Sequence, residues 1–183
     1  DLGRTDDTSI WFYQPVGKEV HVIDFHSSNG HDAEYYADLL DGKAYNYAKL
    51  GDKPFLWLPH DAKAKTFVAK GKTIQEQFAE RGYKSLIVPS LSVQDGVQAT
   101  RQFLKRAYFD REKCHDGVEA LKLYQREWDS EKKVFRDKPL HNWTSHPADA
   151  ARMMAVAYQE IAAPDKPEPL KFPIGMVDGR IVT

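Results

Sequence analysis

The stretch of sequence that decides the fold is residues 55–89, FLWLPHDAKAKTFVAKGKTIQEQFAERGYKSLIVP. Residues 55–58 and 85–89 are short apolar runs with the composition of buried strands. Between them, Thr73 and Glu76 have the spacing of a capping box, which opens a helix. A strand, a helix and a strand in this order predict a right-handed parallel crossover, and therefore an α/β fold.

Two further strands are predicted ahead of this crossover. Residues 8–14 and 19–25 are rich in β-branched and aromatic side chains, and the turn-forming residues 15–17 separate them. This pattern predicts a β-hairpin. If the residues around Asp1 are the end of a preceding strand, a three-strand antiparallel meander opens the domain.

The remaining elements are predicted mainly from apolar residues at helical spacing. They are helices at residues 32–40, 97–108 and 115–126, a basic hairpin at 128–136, and a last helix that holds Asp149 and continues to about Ile161. Four prolines between residues 164 and 173 break regular structure after that helix. We therefore expect one domain over residues 1–162 and a Pro-rich tail over residues 163–183.

Composition limits the functions that the chain can have. Its 183 residues contain 26 Lys and Arg against 27 Asp and Glu, so any contact with nucleic acid must depend on local basic patches. The single cysteine, Cys114, excludes a disulfide framework and a thiolate zinc site. No apolar run approaches the roughly 20 residues of a membrane span, and no signal peptide is found, so we expect a cytoplasmic protein. The pattern opens as if a strand had already begun, which predicts a domain cut from a longer polypeptide.

Three aspartates are predicted at the ends of three elements. Asp149 lies in the first turns of the last helix, within PLHNWTSHPADAAR at residues 139–152, Asp61 follows the strand at 55–58, and Asp1 opens the chain. Without a cation, such carboxylates would repel one another by about 4 kcal/mol per pair at about 4 Å, even at an effective dielectric near 20. Oxygen ligands favour Mg²⁺ or Mn²⁺, and two such ions would activate a water and stabilise the leaving 3′ oxygen of a phosphodiester. The alternative is that these are ordinary capping and turn aspartates.

Other acidic and histidine residues are candidates for supporting roles near this site. Asp6 and Asp7 follow Asp1 closely and could brace its turn, and Asp24 ends a neighbouring strand. His60 and His146 flank the two downstream aspartates, where they could orient a water, contact a phosphate or hydrogen-bond to a side chain that binds the metal. A hydrogen-bonded structural role is the alternative for both histidines.

Two clusters of basic residues border the candidate aspartates in sequence. Lys63, Lys65, Lys70 and Lys72 follow Asp61, and Lys132, Lys133, Arg136 and Lys138 precede Asp149. We expect Lys63, Lys65, Lys132, Lys133 and Arg136 to contact phosphates of a DNA duplex without reading its bases. The alternative is that these are solvated surface charges.

Five segments of the chain resemble, in order, the C-terminal nuclease domain of tailed-bacteriophage terminase large subunits. The resemblance covers about residues 1–160. The segments are DLGRTDDTSI at residues 1–10, LPHDA at 58–62, VQDGV at 93–97, CHDGVEAL at 114–121 and PLHNWTSHPADAAR at 139–152.

This resemblance implies a fold, an activity and a set of site residues. The implied fold is ribonuclease H-like, with a mixed five-strand sheet flanked by helices. The implied activity is that of a metal-dependent endonuclease, which cuts concatemeric double-stranded viral DNA during genome packaging. Asp1, Asp61 and Asp149 match the family's metal-binding catalytic carboxylates, with Mg²⁺ or Mn²⁺, expected as two ions, as the cofactor.

The resemblance also implies partners and a location. The partners are double-stranded DNA, an upstream ATPase domain that would precede Asp1, the portal protein and the small terminase subunit. The location is the host cytoplasm and, transiently, the portal vertex of the procapsid.

The sequence departs from the family in two places, and two other hypotheses remain open. Asn142 stands where the family often has Asp, and the tail after Ala162 matches nothing in the family. The first alternative is another ribonuclease H-like nuclease, of the resolvase or transposase type, and the second is a noncatalytic module that docks on DNA or the portal. The number of metal ions, the choice between sequence-specific and headful cutting, and the oligomeric state are open as well.

Overall fold

A computed structural model describes residues 7–43, 45, 55–63 and 71–162, of which 160–162 are described by backbone alone, and the backbone of residues 176–177 and 180–181. The described elements are β1 (Thr8–Val16), β2 (Glu19–Ser28), α1 (Ala33–Gly42), β3 (Phe55–Leu58), a 3₁₀ turn (His60–Lys63), α2 (Ile74–Glu80), β4 (Lys84–Ile87), α3 (Val93–Leu104), β5 (Ala107–Phe109), α4 (His115–Leu123), β6 (Arg126–Asp129), β7 (Val134–Pro139), α5 (Ser145–Ala162), β8 (Met176–Val177) and β9 (Arg180–Ile181). The predicted mixture of helices and strands is confirmed.

The first two strands form the predicted antiparallel hairpin. Its register runs from Thr8 opposite Ser28 to Val16 opposite Glu19, and it shifts after Phe12. Gly17, with φ +59°, begins the two-residue turn, because a positive φ costs glycine little. The turn therefore starts later than the sequence predicts.

The predicted crossover is present between β3 and β4, which pair in parallel. Helix α2 connects them and begins with the predicted capping box. The Thr73 hydroxyl accepts a hydrogen bond from the Glu76 backbone N–H at 3.0 Å, and the Glu76 carboxylate accepts one from the Thr73 N–H at 2.7 Å. These two bonds satisfy donors that the first turn of a helix leaves free.

Two predicted helices have different ends in the structure. The helix predicted at 97–108 runs over Val93–Leu104, where the Ser92 hydroxyl caps its first turn by accepting from the Asp95 N–H at 3.1 Å. It stops early because Ala107–Phe109 pair with β2 in parallel as strand β5. Helix α4 ends at Leu123 rather than at residue 126, because Arg126 begins β6. The basic hairpin is confirmed as β6 and β7.

The described strands form two main sheets. One has the order β1-β2-β5, with an antiparallel and a parallel pair, and the other contains only β3 and β4. The predicted five-strand sheet is therefore not found as one sheet within the described residues, because β1 and β3 are not paired with each other. The remaining strands form the hairpins β6-β7 and β8-β9, the second of which lies in the predicted tail.

Helices cover this strand layer on both faces. Trp11 of β1 packs into a core cluster with Phe103 of α3 and Met154 of α5. Its neighbour Phe12 belongs to a second cluster, which contains Tyr36 of α1 and other residues of α1 and α2. Because successive strand residues point to opposite faces, this division places α3 and α5 on one side and α1 and α2 on the other. Within the described part of the chain, no helix is both long and apolar enough to cross a membrane.

Candidate functional site

The carboxyl end of β3 presents the first candidate aspartate. Pro59 and Ala62 are buried and anchor the turn, and the Ala62 backbone N–H donates to the Pro59 carbonyl at 3.1 Å. His60, Asp61 and Lys63 are exposed on the same turn. The Asp61 carboxylate has no hydrogen bond or ion pair with any other residue that the structure describes.

The second candidate aspartate lies in the second turn of α5. Asp149 is half-buried, and its Oδ1 lies 3.1 Å from Nη2 of Arg152, one helical turn later. The Arg152 side chain is only 23% exposed, because it lies against α3. A methyl group at Gly96 would come within 2.4 Å of the Arg152 Cδ, so the glycine provides the space that the arginine occupies.

The loop before α5 is held by its own side chains. The Asn142 Oδ1 accepts from the Thr144 N–H at 2.9 Å and from the Thr144 hydroxyl at 2.7 Å. The Ser145 hydroxyl donates to the Leu140 carbonyl at 3.1 Å and accepts from the Asn142 N–H at 3.0 Å. Asn142 therefore fixes the start of the helix that carries Asp149.

A tryptophan fixes this helix start to the sheet. The Trp11 indole N–H donates to the Pro147 carbonyl at 3.0 Å, and the bond is buried. This bond ties α5 to β1, the first strand of the sheet. The position of Asp149 is therefore set by both the loop and the core.

One small cleft brings the two candidate regions together. It has a volume of about 70 Å³ and lies where β3 and β4 end, which is the edge of a parallel pair where ligands bind. His60 lines it from the β3 side and Arg152 from α5. Asp61 is next to the first of these residues and Asp149 is paired with the second. Neither aspartate lines the cleft itself, so their convergence on one metal site stays a prediction.

The third carboxylate of the predicted set lies outside the described residues. This is Asp1, and the supporting candidate Asp6 and the predicted DNA contact Lys65 lie outside them too. Within the described part, no group of three or more His, Cys, Asp or Glu side chains is placed to hold a metal ion. The three-carboxylate site therefore stays a prediction, with two of its members placed near one cleft.

Asp24 has a different environment from Asp61 and Asp149. It is buried in β2, where its Oδ2 accepts from the Tyr45 hydroxyl at 2.7 Å and from the Lys43 ammonium, and its Oδ1 accepts from the Phe25 N–H at 2.8 Å. Burial alone would raise the pKa of this carboxyl, but the hydrogen bonds from Lys43, Tyr45 and Phe25 hold it below its usual value. Both oxygens are therefore engaged, Oδ2 in an ion pair with Lys43 and Oδ1 in a hydrogen bond from the backbone.

The other predicted supporting residues occupy separate places. Asp7 is half-buried and directly precedes β1. The ring of His146, in the first turn of α5, packs edge to face against His141, with the ring centroids 5.6 Å apart. His60 alone among these three lines the cleft.

The basic hairpin presents two of the predicted DNA contacts. Lys132 and Lys133 lie at its turn and have no ion pair within the described residues, whereas Arg136 is bound to Glu127 and Asp129, each at 3.2 Å. Arg136 therefore braces the hairpin. Two aromatic side chains pack together on the same hairpin, with centroids 4.9 Å apart, and stay more than half exposed: Trp128 and Phe135.

Sequence reasoning missed several residues that shape the site. Arg152 pairs with Asp149, and Gly96 makes room for the Arg152 side chain. The spacing of three residues between Asp149 and Arg152 was the sequence signal that could have indicated this pair. Lys43 and Tyr45 donate hydrogen bonds to Asp24. No sequence spacing indicates these contacts, because neither residue is near Asp24 in the chain.

The chain was compared with protein-family models, curated proteins and solved structures. No family model and no curated protein sequence matches it. The large terminase of the thermophilic bacteriophage D6E, in crystal form 3, matches with a TM-score of 0.62 and 18% identity, over 85% of this chain and 38% of that chain. Its complex with ATP-gamma-S matches with a TM-score of 0.60 and 17% identity, over 85% and 38%. Crystal form 2 gives a TM-score of 0.57 and 18% identity, over 84% and 36%.

The chain has the fold of part of a phage large terminase. It spans less than two-fifths of the length of these terminase structures. At 17 to 18% identity, the likeness concerns the fold and leaves activity to the residues of the site.

Proposed function

We propose that this chain is the nuclease domain of a terminase large subunit, with a ribonuclease H-like five-strand sheet. It would cleave concatemers of double-stranded viral DNA during genome packaging. The observation that supports this function best is that one cleft, where β3 and β4 end, is lined by His60, which precedes Asp61, and by Arg152, which pairs with Asp149. The fold shared with a phage large terminase agrees with it.

In this proposal the carboxylates hold Mg²⁺ or Mn²⁺, expected as two ions. Asp61 has no partner among the described residues, and Asp149 is paired with Arg152 through Oδ1, so both carboxylates fit the oxygen chemistry of these ions. Asp1 would complete the set. A bound ion would supply a Lewis acid and an activated water for phosphodiester hydrolysis.

The protein's own groups would orient the carboxylates and the DNA. Arg152 would hold the Asp149 side chain in one orientation and offset part of the negative charge. Lys63 beside Asp61, and Lys132 and Lys133 on the hairpin, would contact phosphates of the duplex backbone without reading bases. Arg136 and Lys65 belong to the same proposed DNA-binding set.

The proposal extends to partners and place. By its likeness to terminases, the domain would work with an upstream ATPase domain, the portal protein and the small terminase subunit. It would act in the host cytoplasm, at the portal vertex of the procapsid.

Cleavage of supercoiled plasmid tests this function. We expect nicking and linearisation in Mg²⁺ or Mn²⁺, loss of both with a chelator, and a rate at least about 100-fold lower in Asp61→Asn, because the amide is a much weaker ligand than the carboxylate. Asp116→Asn, which changes an exposed aspartate at the start of α4, is the matched control and should cleave at the wild-type rate.

Three outcomes would contradict the proposal. Full cleavage by Asp61→Asn would remove this residue from the mechanism. Preference for branched over linear DNA would favour a resolvase-type nuclease. Binding of DNA without turnover, in several divalent metals and at several pH values, would favour a noncatalytic docking module.

A further inference from the structure

The hairpin of β6 and β7 has little contact with the core. Within the described part of the chain its two strands pair only with each other, and every residue from 130 to 138 is exposed. Most of β7 therefore packs on nothing with either face. Because a two-stranded hairpin of this kind is marginally stable in water, its own side chains must hold it in shape.

One face of the hairpin carries the contacts that do this. The Asp129 carboxylate accepts from the backbone N–H groups of Glu131 and Lys132, at 3.1 and 3.0 Å, and so closes the turn. The Arg136 guanidinium pairs with Asp129 and with Glu127, each at 3.2 Å, and so joins the two strands. Since successive strand residues point to opposite faces, these ion pairs leave the other face unused.

The other face carries an exposed aromatic pair. Trp128 and Phe135 are direct partners across the two strands, and their rings meet edge to face, with centroids 4.9 Å apart and planes at 69°. The two residues are 51% and 59% exposed. An edge-to-face contact covers only part of the ring surface, so an aromatic face remains open to a ligand that stacks.

The charge around this pair is positive. Lys132, Lys133 and Lys138 have no ion pair with any residue that the structure describes, and neither does one acidic residue of the hairpin, Glu131. The other acidic side chains of the hairpin are paired with arginines. The unpaired charge of the hairpin is therefore two units positive, which favours an anionic partner.

The backbone at Lys133 supports a role for one of these lysines. Its φ is +53°, and among the described residues it is the one non-glycine with a positive φ. Glycine adopts this conformation without a steric cost, and asparagine or aspartate tolerates it better than lysine does. Backbone strain of this kind is typical of functional positions, and here it places an ammonium group at the hairpin turn.

We propose that this hairpin binds unpaired bases of single-stranded DNA, with a base stacked on Trp128 and Phe135 and the neighbouring phosphates on the lysines. Aromatic side chains beside cationic ones are the combination that binds single strands without base preference. In a duplex the neighbouring base pairs cover each base face, so stacking needs an opened segment. Lysine is depleted in protein–protein interfaces, which disfavours a protein as the occupant. The choice of DNA rests on the proposed function, and the inference adds the form of DNA that the hairpin takes.

Fluorescence anisotropy of a labelled strand of about 12 thymidines, in a chelator and without added metal, tests this proposal. We expect the single strand to bind at least about fivefold more tightly than the same strand annealed to its complement. Trp128→Leu and Phe135→Leu keep apolar bulk but have no aromatic face, so each should weaken binding at least about fivefold, whereas Trp128→Phe should retain most of it. Tyr108→Ala, which removes an exposed aromatic side chain of β5, is the matched control and should bind like the wild type.

The salt dependence of binding tests the contribution of Lys133. Lys133→Gly removes the charge and relaxes the turn, so it should reduce the slope of log K against log salt concentration by about 0.7, as loss of one phosphate contact to a single strand does. Lys105→Met, at an exposed lysine at the end of α3, should leave the slope unchanged.

The proposal is overturned if the duplex binds as tightly as the single strand, if both leucine variants bind like the wild type, if a uridine strand of RNA binds more tightly than the DNA, or if no strand binds. Should the leucine variants lose the hairpin, indole fluorescence gives a second measurement. A base stacked on Trp128 quenches its emission during titration, and quenching that persists unchanged in Trp128→Phe would contradict the assigned site. These measurements are made without metal, so their failure is distinct from failure of the proposed nuclease function, which plasmid cleavage measures.

Discussion

Asp24 and Asp149 are two aspartates that the sequence assigns to the same neighbourhood, and the fold treats them in opposite ways. Asp24 is 4% exposed and receives hydrogen bonds from Lys43, Tyr45 and the Phe25 N–H. Asp149 is half-buried and is paired with Arg152 through one oxygen. Both oxygens of the first carboxylate are engaged, whereas Oδ2 of the second has no hydrogen bond or ion pair with a described residue.

The difference shows how a structural carboxylate can be told from a candidate ligand. A buried carboxylate needs a counter-charge and hydrogen bonds on both oxygens, because desolvating an unpaired charge costs several kcal/mol. A carboxylate that will bind a cation needs the opposite arrangement, with one orienting partner and a free oxygen that faces solvent. Asp149 fits this second description, and Asp24 does not.

The largest expected effect is on cleavage by Asp149→Asn. The variant should cleave plasmid at least about 100-fold more slowly, because the amide is a weak metal ligand and no longer attracts Arg152. Its free energy of unfolding should change by less than about 1 kcal/mol, since a partly exposed ion pair adds little stability. Plasmid cleavage and urea unfolding measure the two quantities.

Asp24→Asn is the matched partner of this variant. It should lose stability while its cleavage rate stays close to that of the wild type. A large loss of cleavage in a folded Asp24→Asn protein would mean that Asp24 also takes part in the site. A loss of stability without loss of cleavage in Asp149→Asn would exchange the roles assigned to the two residues.

The second prediction concerns the stability of Asp24→Asn. The variant leaves Lys43 without its counter-charge in a largely buried position, which should lower the free energy of unfolding by about 1–3 kcal/mol at pH 7. Because the fold lowers the pKa of Asp24, its contribution is present above the unfolded value near 3.9 and is lost as pH falls toward the lower folded value.

The stability difference between the wild type and Asp24→Asn should therefore be constant from about pH 7 to pH 5 and shrink below about pH 4. Urea unfolding across this range measures it. Lys105→Met, which changes an exposed lysine at the end of α3, controls for general charge effects. A difference that grows on acidification would mean that the pKa of Asp24 is raised in the fold.

The third prediction concerns the contact between α3 and Arg152. Gly96→Ala should destabilise the protein by about 1 kcal/mol, because the new methyl would lie 2.4 Å from the Arg152 Cδ and displace the side chain. A methyl group at Gly42 would meet no atom within 4 Å. Gly42→Ala should therefore stabilise the protein by up to about 1 kcal/mol, because alanine is the better helix former. Thermal unfolding compares the two, and equal shifts would show that Arg152 moves aside freely.

Much of the fold could be predicted because its signals are local. The hairpin follows from strand composition, and the crossover follows from two apolar runs around a capping box. Strand β5 could not be predicted, because Ala107–Phe109 continue the helical spacing of α3 and become a strand only by pairing with β2. Tertiary pairing overrides local propensity at such short segments.

In the candidate site too, the local features could be predicted from the sequence and the long-range contacts could not. Asp61 after a strand and Asp149 early in a helix were placed from local patterns. The saturation of Asp24 depends on Lys43 and Tyr45, which lie 19 and 21 residues away, and no local spacing reports such contacts. The same holds for the contact of Gly96 with Arg152, which joins two helices.

The smallest expected effect concerns Asn142, where the resembling family often has Asp. Asn142 holds the loop before Asp149 through one acceptor oxygen, which binds the N–H and the hydroxyl of Thr144. An aspartate offers the same acceptor and adds a favourable charge near a helix start, so Asn142→Asp should change the free energy of unfolding by less than about 0.5 kcal/mol.

Asn142→Ala removes the acceptor and should cost about 1 kcal/mol, as the loss of a helix cap does. If Asn142→Asp costs as much as Asn142→Ala in urea unfolding, the amide group itself is required, and the loop is not held by the oxygen alone. If Asn142→Asp instead raises cleavage without changing stability, the position contributes a ligand when it is acidic. In that case this chain would differ from the family it resembles on the Asp149 side of the cleft, where Arg152 contacts the carboxylate.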